Sequence, residues 1–287
     1  MRTVLDTTMK IFVISRRTAA ARRAFARAEM HRSGLAFEFF DAIDSPDEAR
    51  ARFERIDRKR FRLNTRRDPS PGEIGCFASH VSLWQKCKAS QQPIVVLEDD
   101  FVLTPHIHAA LRYAGRVVAT YGFIRFEEIE RRRVATKRFR PAAHRVESSD
   151  GLTLYYMSDV PLSMLAYAIS PSAATALIAA SRTLIAPVDK FMQKTWLHSV
   201  PVFALAPASV ALCHLHQPST IGKRPSKLRG PGLMLSRLIY KTLDELRRIR
   251  FDSNRLPQFT EGREARSLLH QRQAPRIPTS VQNTADH

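Results

Sequence analysis

Residues 93–100, Pro93-Ile94-Val95-Val96-Leu97-Glu98-Asp99-Asp100, carry the reading on which the fold turns. An unbroken apolar, β-branched run without polar alternation describes a strand buried on both faces, as in parallel sheets covered by helices. It ends in three adjacent carboxylates. In an open α/β sheet, ligands bind beyond the carboxyl ends of the strands. Three neighbouring acids repel one another, and a divalent cation relieves that repulsion. Hard oxygen ligands select Mg²⁺ or Mn²⁺. Such an ion can bridge to a diphosphate and take up charge as it leaves. A turn or helix cap with solvated acids is the other reading of the same residues.

Outward from this octet, strand and helix signals alternate. Lys10 to Ser15 (KIFVIS) is a second short apolar strand, and Thr18 can cap a helix that stops near Gly34. Phe37 to Ile43 is a strand, and Ser45-Pro46-Asp47-Glu48 then starts a helix with a cap, a first-turn Pro and a Glu. Ser70-Pro71-Gly72-Glu73 repeats that signature before a helix with Ile74, Phe77, Val81 and Trp84 on one face. Thr104-Pro105 caps another helix. Beyond it come a strand over Met164–Ile169, an alanine-rich helix starting at Ser170-Pro171, and a strand over Val202–Leu205. This order predicts an α/β fold: one domain with a mostly parallel central sheet covered by helices on both faces.

The 287 residues suit one large domain with a tail, at ~150 residues per domain. A 44% hydrophobic and 25% charged composition excludes collagen-like and wholly disordered chains. Three scattered cysteines, Cys76, Cys87 and Cys213, make neither a disulfide framework nor a zinc finger, and fit a reducing, cytoplasmic setting. The first residues, MRTVLDTTMKIFVIS, lack the pattern of a signal peptide. Val160 to Ser181 is uncharged, but Pro161, Pro171 and its hydroxyl side chains favour a strand and a helix over a membrane span.

The formal net charge of +19 calls for an anionic partner: nucleic acid, anionic lipid or a phosphorylated small molecule. Eight basic residues against three acids lie between Arg125 and Arg145, and fourteen against six from Lys223 onward. In the second region Leu233, Leu235, Leu238, Ile239, Leu243, Leu246 and Ile249 recur at helical spacing among Arg237, Lys241, Arg247, Arg248 and Arg250. Such a basic amphipathic helix suits an anionic membrane surface, with the protein peripheral at the inner face. Equally, it could pack on the domain with a solvated basic face. The expected organisation is a domain over 1–222, a basic helical extension over 223–256, and a disordered polar tail over 257–287. Aromatic residues are not interleaved with the basic runs, which argues against nucleic acid. A basic binding protein without turnover, for nucleic acid or anionic glycolipid, is the alternative class.

Three blocks together resemble glycosyltransferase family 25, the lipopolysaccharide-biosynthesis transferases that include collagen galactosyltransferases. The first is Phe12-Val13-Ile14-Ser15 with Arg22-Arg23, leading to Phe39-Phe40-Asp41-Ala42-Ile43-Asp44. The second is Pro71-Gly72-Glu73-Ile74-Gly75-Cys76-Phe77-Ala78-Ser79-His80 with Leu83-Trp84, and the third is Val95 to Asp100. Weaker agreement follows at Ala166 to Ser170 and Pro187-Val188-Asp189. The resemblance implies a GT-A type fold and an inverting, metal-dependent transfer of a hexose, galactose or glucose, from a UDP-sugar. The acceptor would be a lipopolysaccharide, lipooligosaccharide or other glycan.

It also implies roles. Asp100 would be the first metal ligand, for Mn²⁺ or Mg²⁺, with Glu98 acting through water or holding the donor ribose and Asp99 beside them. Ile14 and Ser15 would lie at the nucleotide, Arg22 or Arg23 near phosphate, and Asp41 and Ala42 around the uracil. His216, with His214 near it, lies where many GT-A enzymes complete the metal shell. Glu73 either closes its own helix cap or helps build the active-site wall. His80 lies one turn after Cys76, but a Cys-His pair without further soft ligands is poor ground for zinc. An inverting transfer needs one base for the acceptor hydroxyl. Asp189, a lone acid in apolar surroundings, is the candidate, unless it only caps the helix of Phe191 and Met192. Glu127, Glu128 and Asp159 are poorer candidates.

Overall fold

The computed structural model describes residues 9–128, 143–213 and 225–260. Among them, β1 (Lys10–Ser15), α1 (Ala20–Arg32), β2 (Glu38–Asp41), α2 (Pro46–Ala51), β3 (Arg55–Ile56), α3 (Arg58–Thr65) and α4 (Pro71–Ser90) come first. Then follow β4 (Ile94–Glu98), β5 (Phe101–Leu103), α5 (Ile107–Tyr121), β6 (Phe123–Arg125), β7 (Ala143–Ser149), β8 (Leu152–Met157) and β9 (Ala166–Ile169). Next are α6 (Pro171–Ser181), β10 (Thr183–Leu184), α7 (Val188–Met192) and α8 (Thr195–His198). Last come β11 (Phe203–Ala206), β12 (Val210–Leu212) and α9 (Pro231–Thr260).

The sheet is eight-stranded, in the order β2-β1-β4-β9-β6-β11-β8-β7. Three of its seven pairings are parallel (β2·β1, β1·β4, β6·β11) and four antiparallel. The expectation of a mostly parallel sheet is therefore corrected to a mixed one. Two features account for this. β9 keeps the direction of β8 and so enters the middle of the sheet antiparallel to both β4 and β6. β7 and β8 form a hairpin whose turn, Asp150-Gly151, takes positive φ at both residues, as a two-residue type I′ turn requires.

Strand side chains alternate between two cores. Phe12, Ile14, Ile94, Val96, Tyr167 and Ile169 face α2, α4, α6 and α7. Ile11, Val13, Val95, Leu97, Ala166 and Ala168 face α1 and α5. The uncharged segment 160–181 is the strand β9 followed by α6, whose N-cap Ser70-like start at Ser170 accepts the Ala173 N–H. No helix among the described residues is long and apolar enough to cross a membrane.

The expected break at Pro257 is also corrected, since α9 runs on to Thr260. Pro257 is exposed, and Leu256 and Phe259 on either side pack against the second core and hold the last turn. The helix lies on the domain beside α3 and α8. The tail beyond it falls outside the described residues.

Candidate active site

The parallel trio β2, β1 and β4 brings Asp41, Ser15 and Glu98 to one edge of the sheet, with Ser15 registered on Asp41 and Ile14 on Glu98. Where β4 ends and the turn begins, the neighbouring acids part to opposite sides. Glu98 turns toward α4 and Asp99 toward α1.

Asp99 is buried. It accepts from Ser15 Oγ at 2.6 Å and from Arg22 Nη1 at 2.8 Å. Ser15 and Arg22 are buried with it, so these three residues tie the start of α1 to the strand end. Both oxygens of the Asp99 carboxylate are thus engaged within the protein, at the strand end where donor contacts are expected of these residues. Ile14 is a core residue and Ala42 packs at the margin of the same core, its N–H on the Ser15 carbonyl at 3.0 Å. Arg23 bonds Asp41 at 2.7 Å and covers the Phe39 ring. Arg17, a residue the sequence reading passes over, joins it on Asp41 at 2.8 Å. The two guanidinium groups hold the Asp41 carboxyl below its ordinary range.

Asp100 is different. Its Oδ1 is buried without a hydrogen-bond partner among the described residues, and its Oδ2 lies 3.9 Å from Arg22. Burial first, then the charge of Glu98, pushes its pKa up to about 6. A buried, unpartnered carboxylate oxygen beside a second acid is an arrangement that a hard divalent cation completes, so the residues present fit Mn²⁺ or Mg²⁺. Asp100 and Glu98 would hold it. Cys213 donates its N–H to the Asp100 carbonyl at 2.7 Å. His216, three residues further on, lies outside the described residues, as does His214.

Glu98 is oriented from below by α4. That helix starts with a complete capping box, Ser70 accepting from the Glu73 N–H and Glu73 from the Ser70 N–H. One turn in, a Cβ on Gly75 would lie 2.3 Å from the Ile43 carbonyl oxygen. Only glycine lets α4 approach the loop after β2 so closely. Ser79 fixes the contact, accepting the Ile43 N–H at 2.9 Å and donating to the Gly75 carbonyl at 2.8 Å. The next residue, His80, is thereby aimed at β4, with Nε2 3.3 Å from Glu98 Oε1 and Nδ1 2.9 Å from the Tyr167 hydroxyl.

Cys76, His80 and Glu98 offer ligand atoms within 4.8 Å of one another. The hydrogen bonds argue for another use of the imidazole. Trp84 Nε1 donates to the Tyr167 hydroxyl at 3.0 Å. Burial pushes the Tyr167 phenol well up, so it keeps a proton to donate to His80 Nδ1. That leaves Nε2–H to donate to Glu98. His80 therefore positions Glu98. Trp84 and Tyr167 were missed as site residues; a polar-tipped aromatic in an otherwise apolar strand is the signal that could have shown Tyr167.

Glu73 closes its own helix cap, the first of its two readings. Besides its cap, its carboxylate receives both Arg67 Nη groups, and it is buried. Burial pushes it up, but Arg67 and the Ser70 N–H bring it below the usual carboxylate value. Asp189 starts α7, half-buried, its Oδ1 taking the Lys190 N–H at 2.7 Å. The Cys76 thiol reports its neighbourhood. Desolvation first, then Glu98, Asp189, Glu73 and Asp100, push that thiol well up, so Asp189 and the acidic motif lie within electrostatic reach of one buried group. Glu127 is bonded to Arg125 at 2.6 Å inside the protein.

The sequence model for "Glycosyltransferase family 25 (LPS biosynthesis protein)" matches residues 8–192. The chain is 34% identical over 93 residues to the lipooligosaccharide biosynthesis protein lic2B of Haemophilus influenzae, covering 32% of this chain and 34% of that one. It is 29% identical over 211 residues to a glycosyltransferase 25 family member of Drosophila melanogaster, covering 67% of this chain and 32% of that one. The matches thus span about a third of each relative's length. The strand-end acids, the helix seated through Gly75 and the reversed strand with Tyr167 all lie within the matched residues. The chain belongs to glycosyltransferase family 25.

Proposed function

We propose that the protein is an inverting, metal-dependent glycosyltransferase of GT-A type. It moves a hexose, galactose or glucose, from a UDP-sugar to a lipopolysaccharide, lipooligosaccharide or related glycan. The observation that carries this reading is the buried Asp100 Oδ1, without a hydrogen-bond partner among the described residues, beside Glu98 at the sheet edge where ligands of α/β folds bind. Mn²⁺ or Mg²⁺ bound there supplies positive charge to the departing diphosphate. Glu98, held by the Trp84–Tyr167–His80 chain, keeps a fixed orientation toward that charge. Asp41, gripped by Arg17 and Arg23, lies at the neighbouring strand end on the nucleotide side. Asp189 takes the proton of the acceptor hydroxyl as the sugar carbon is attacked from the face opposite the leaving nucleotide. His216, three residues along the chain from Cys213, whose N–H is bonded to the Asp100 carbonyl, is the candidate last ligand. A glycolipid acceptor would place the reaction at an anionic membrane surface.

The test is release of free nucleotide from a panel of nucleotide sugars with Mn²⁺ and a saccharide acceptor. Turnover is expected with a UDP-hexose, lost with chelator and restored by Mn²⁺. Asp100→Ala is expected to lower kcat at least about 10³-fold with an unchanged far-UV spectrum. Undiminished turnover in that variant would remove the acidic motif from the reaction. Absence of turnover with any donor, together with steeply salt-dependent nucleic-acid binding, would favour a basic binding protein.

A further inference from the structure

Helix α9 is amphipathic in the reverse sense to a helix docked on a domain, and the reversal is carried by specific contacts. Its inward side is polar. Arg237 donates to the Leu63 carbonyl, and the Tyr240 hydroxyl accepts from Asn64 Nδ2 at 3.3 Å. Asp244 is buried against Lys194, and Arg248 donates to the Ser158 carbonyl at 2.7 Å. Asp252 accepts from the Tyr156 hydroxyl at 2.7 Å. These residues recur every three to four positions, so one whole face is pinned to the domain along several turns.

The opposite face holds Leu235, Leu238, Ile239, Leu243, Leu246 and Ile249, each between 46% and 64% exposed. At 100° per residue they fill an arc of about 140° and run for about 21 Å along the axis. Ordinary globular helices put such a stripe inward. Here the inward contacts forbid the helix from rolling over, so the apolar face stays turned out. An exposed contiguous apolar strip of this kind marks an interaction surface.

We infer that this face lies in the interfacial layer of an anionic lipid bilayer, as an in-plane amphipathic helix. The flanks supply the charge. Arg247 borders the stripe on one side and Arg250 lies at its C-terminal end, both exposed. Long basic side chains beside a leucine stripe reach headgroup phosphates while the stripe enters the acyl boundary. The exposed acid near the stripe, Glu245, is neutralised by Arg248. A second copy of the chain is a poorer occupant. Face-to-face pairing would bring like flanks together on molecules of net charge +19, whereas anionic headgroups neutralise them.

The experiment is co-sedimentation of the full chain with vesicles of phosphatidylcholine alone and of phosphatidylcholine with a minority of phosphatidylglycerol. Binding is expected to the anionic vesicles and to be much weaker to the neutral ones. Added salt is expected to weaken the anionic binding. The double variant L238E/L246E alters only outward residues, so its melting temperature is expected to stay that of the parent. Its bound-to-free ratio is expected to drop at least about tenfold. Donor turnover without vesicles is expected to be equal in both proteins, which separates this inference from the chemistry proposed above. The inference is overturned if the parent stays in solution with anionic vesicles, or if the double variant binds them equally. A parent that is dimeric and binds no vesicle, with a monomeric variant, overturns it in favour of self-association.

Discussion

His198 shows how a single buried side chain sets the pH range of the whole fold. Its ring is enclosed beside Phe191, with Nδ1 accepting the Val200 N–H. Burial pulls its pKa down to about 4, against 6.5 when the chain is unfolded. Between those values the unfolded chain binds the extra proton, so stability rises with pH there. The contribution is complete above about pH 6.5 and disappears as pH falls toward about 4, a loss of ~3 kcal/mol at most. Urea unfolding at several pH values from 7 to 4 is expected to show this slope. His198→Gln is expected to be less stable at pH 7 but to lose less on acidification, so the two curves converge. Residue-scale reading of the acidic triplet shows the limits of a sequence. Its place at a strand end is legible, and so is its chemistry. What the reading misses is how the turn after β4 aims each acid, which hands Asp99 to Arg22 and leaves Asp100 beside Glu98.

At the scale of elements, α4 is the best-determined piece and the one with most to lose. Its capping box and first-turn proline are visible in Ser70-Pro71-Gly72-Glu73, because capping depends on residues three apart. Arg67, which pairs with Glu73, is not visible, since nothing in local spacing selects one arginine from so many. Breaking a buried ion pair leaves the partner charge uncompensated. Glu73→Gln is therefore expected to cost ~3 kcal/mol in denaturant unfolding. At a temperature where the variant is folded, KM for the donor is expected to stay near that of the parent. A collapse of kcat at full stability would instead return Glu73 to the chemistry. The same contrast between local and distant determinants runs through the fold. β1, β4 and α6 are legible from continuous apolar runs and caps. The β7–β8 hairpin has its Asp150-Gly151 signal in the sequence, but the reading passes over it. The direction of β9 is not legible at all, since a short apolar run reads the same both ways. The face on which α9 docks is equally hidden, because its periodicity shows two faces without saying which one turns inward.

Across the whole molecule, the strand order joins pieces far apart in the chain. β4 and β6 are both paired to β9, and β6 in turn to β11. A chain ending near residue 160 would hold β4 and β6 without the strand between them, leaving two apolar edges open to other molecules. Such a truncated protein is expected to be recovered as aggregate, or to be cleaved by protease far faster than the full chain. A soluble, protease-resistant fragment would show that the first half closes a core by itself. During synthesis, therefore, the polypeptide must emerge well past Ile169 before its middle can be sealed, and everything made earlier waits in a state that chaperones have reason to hold.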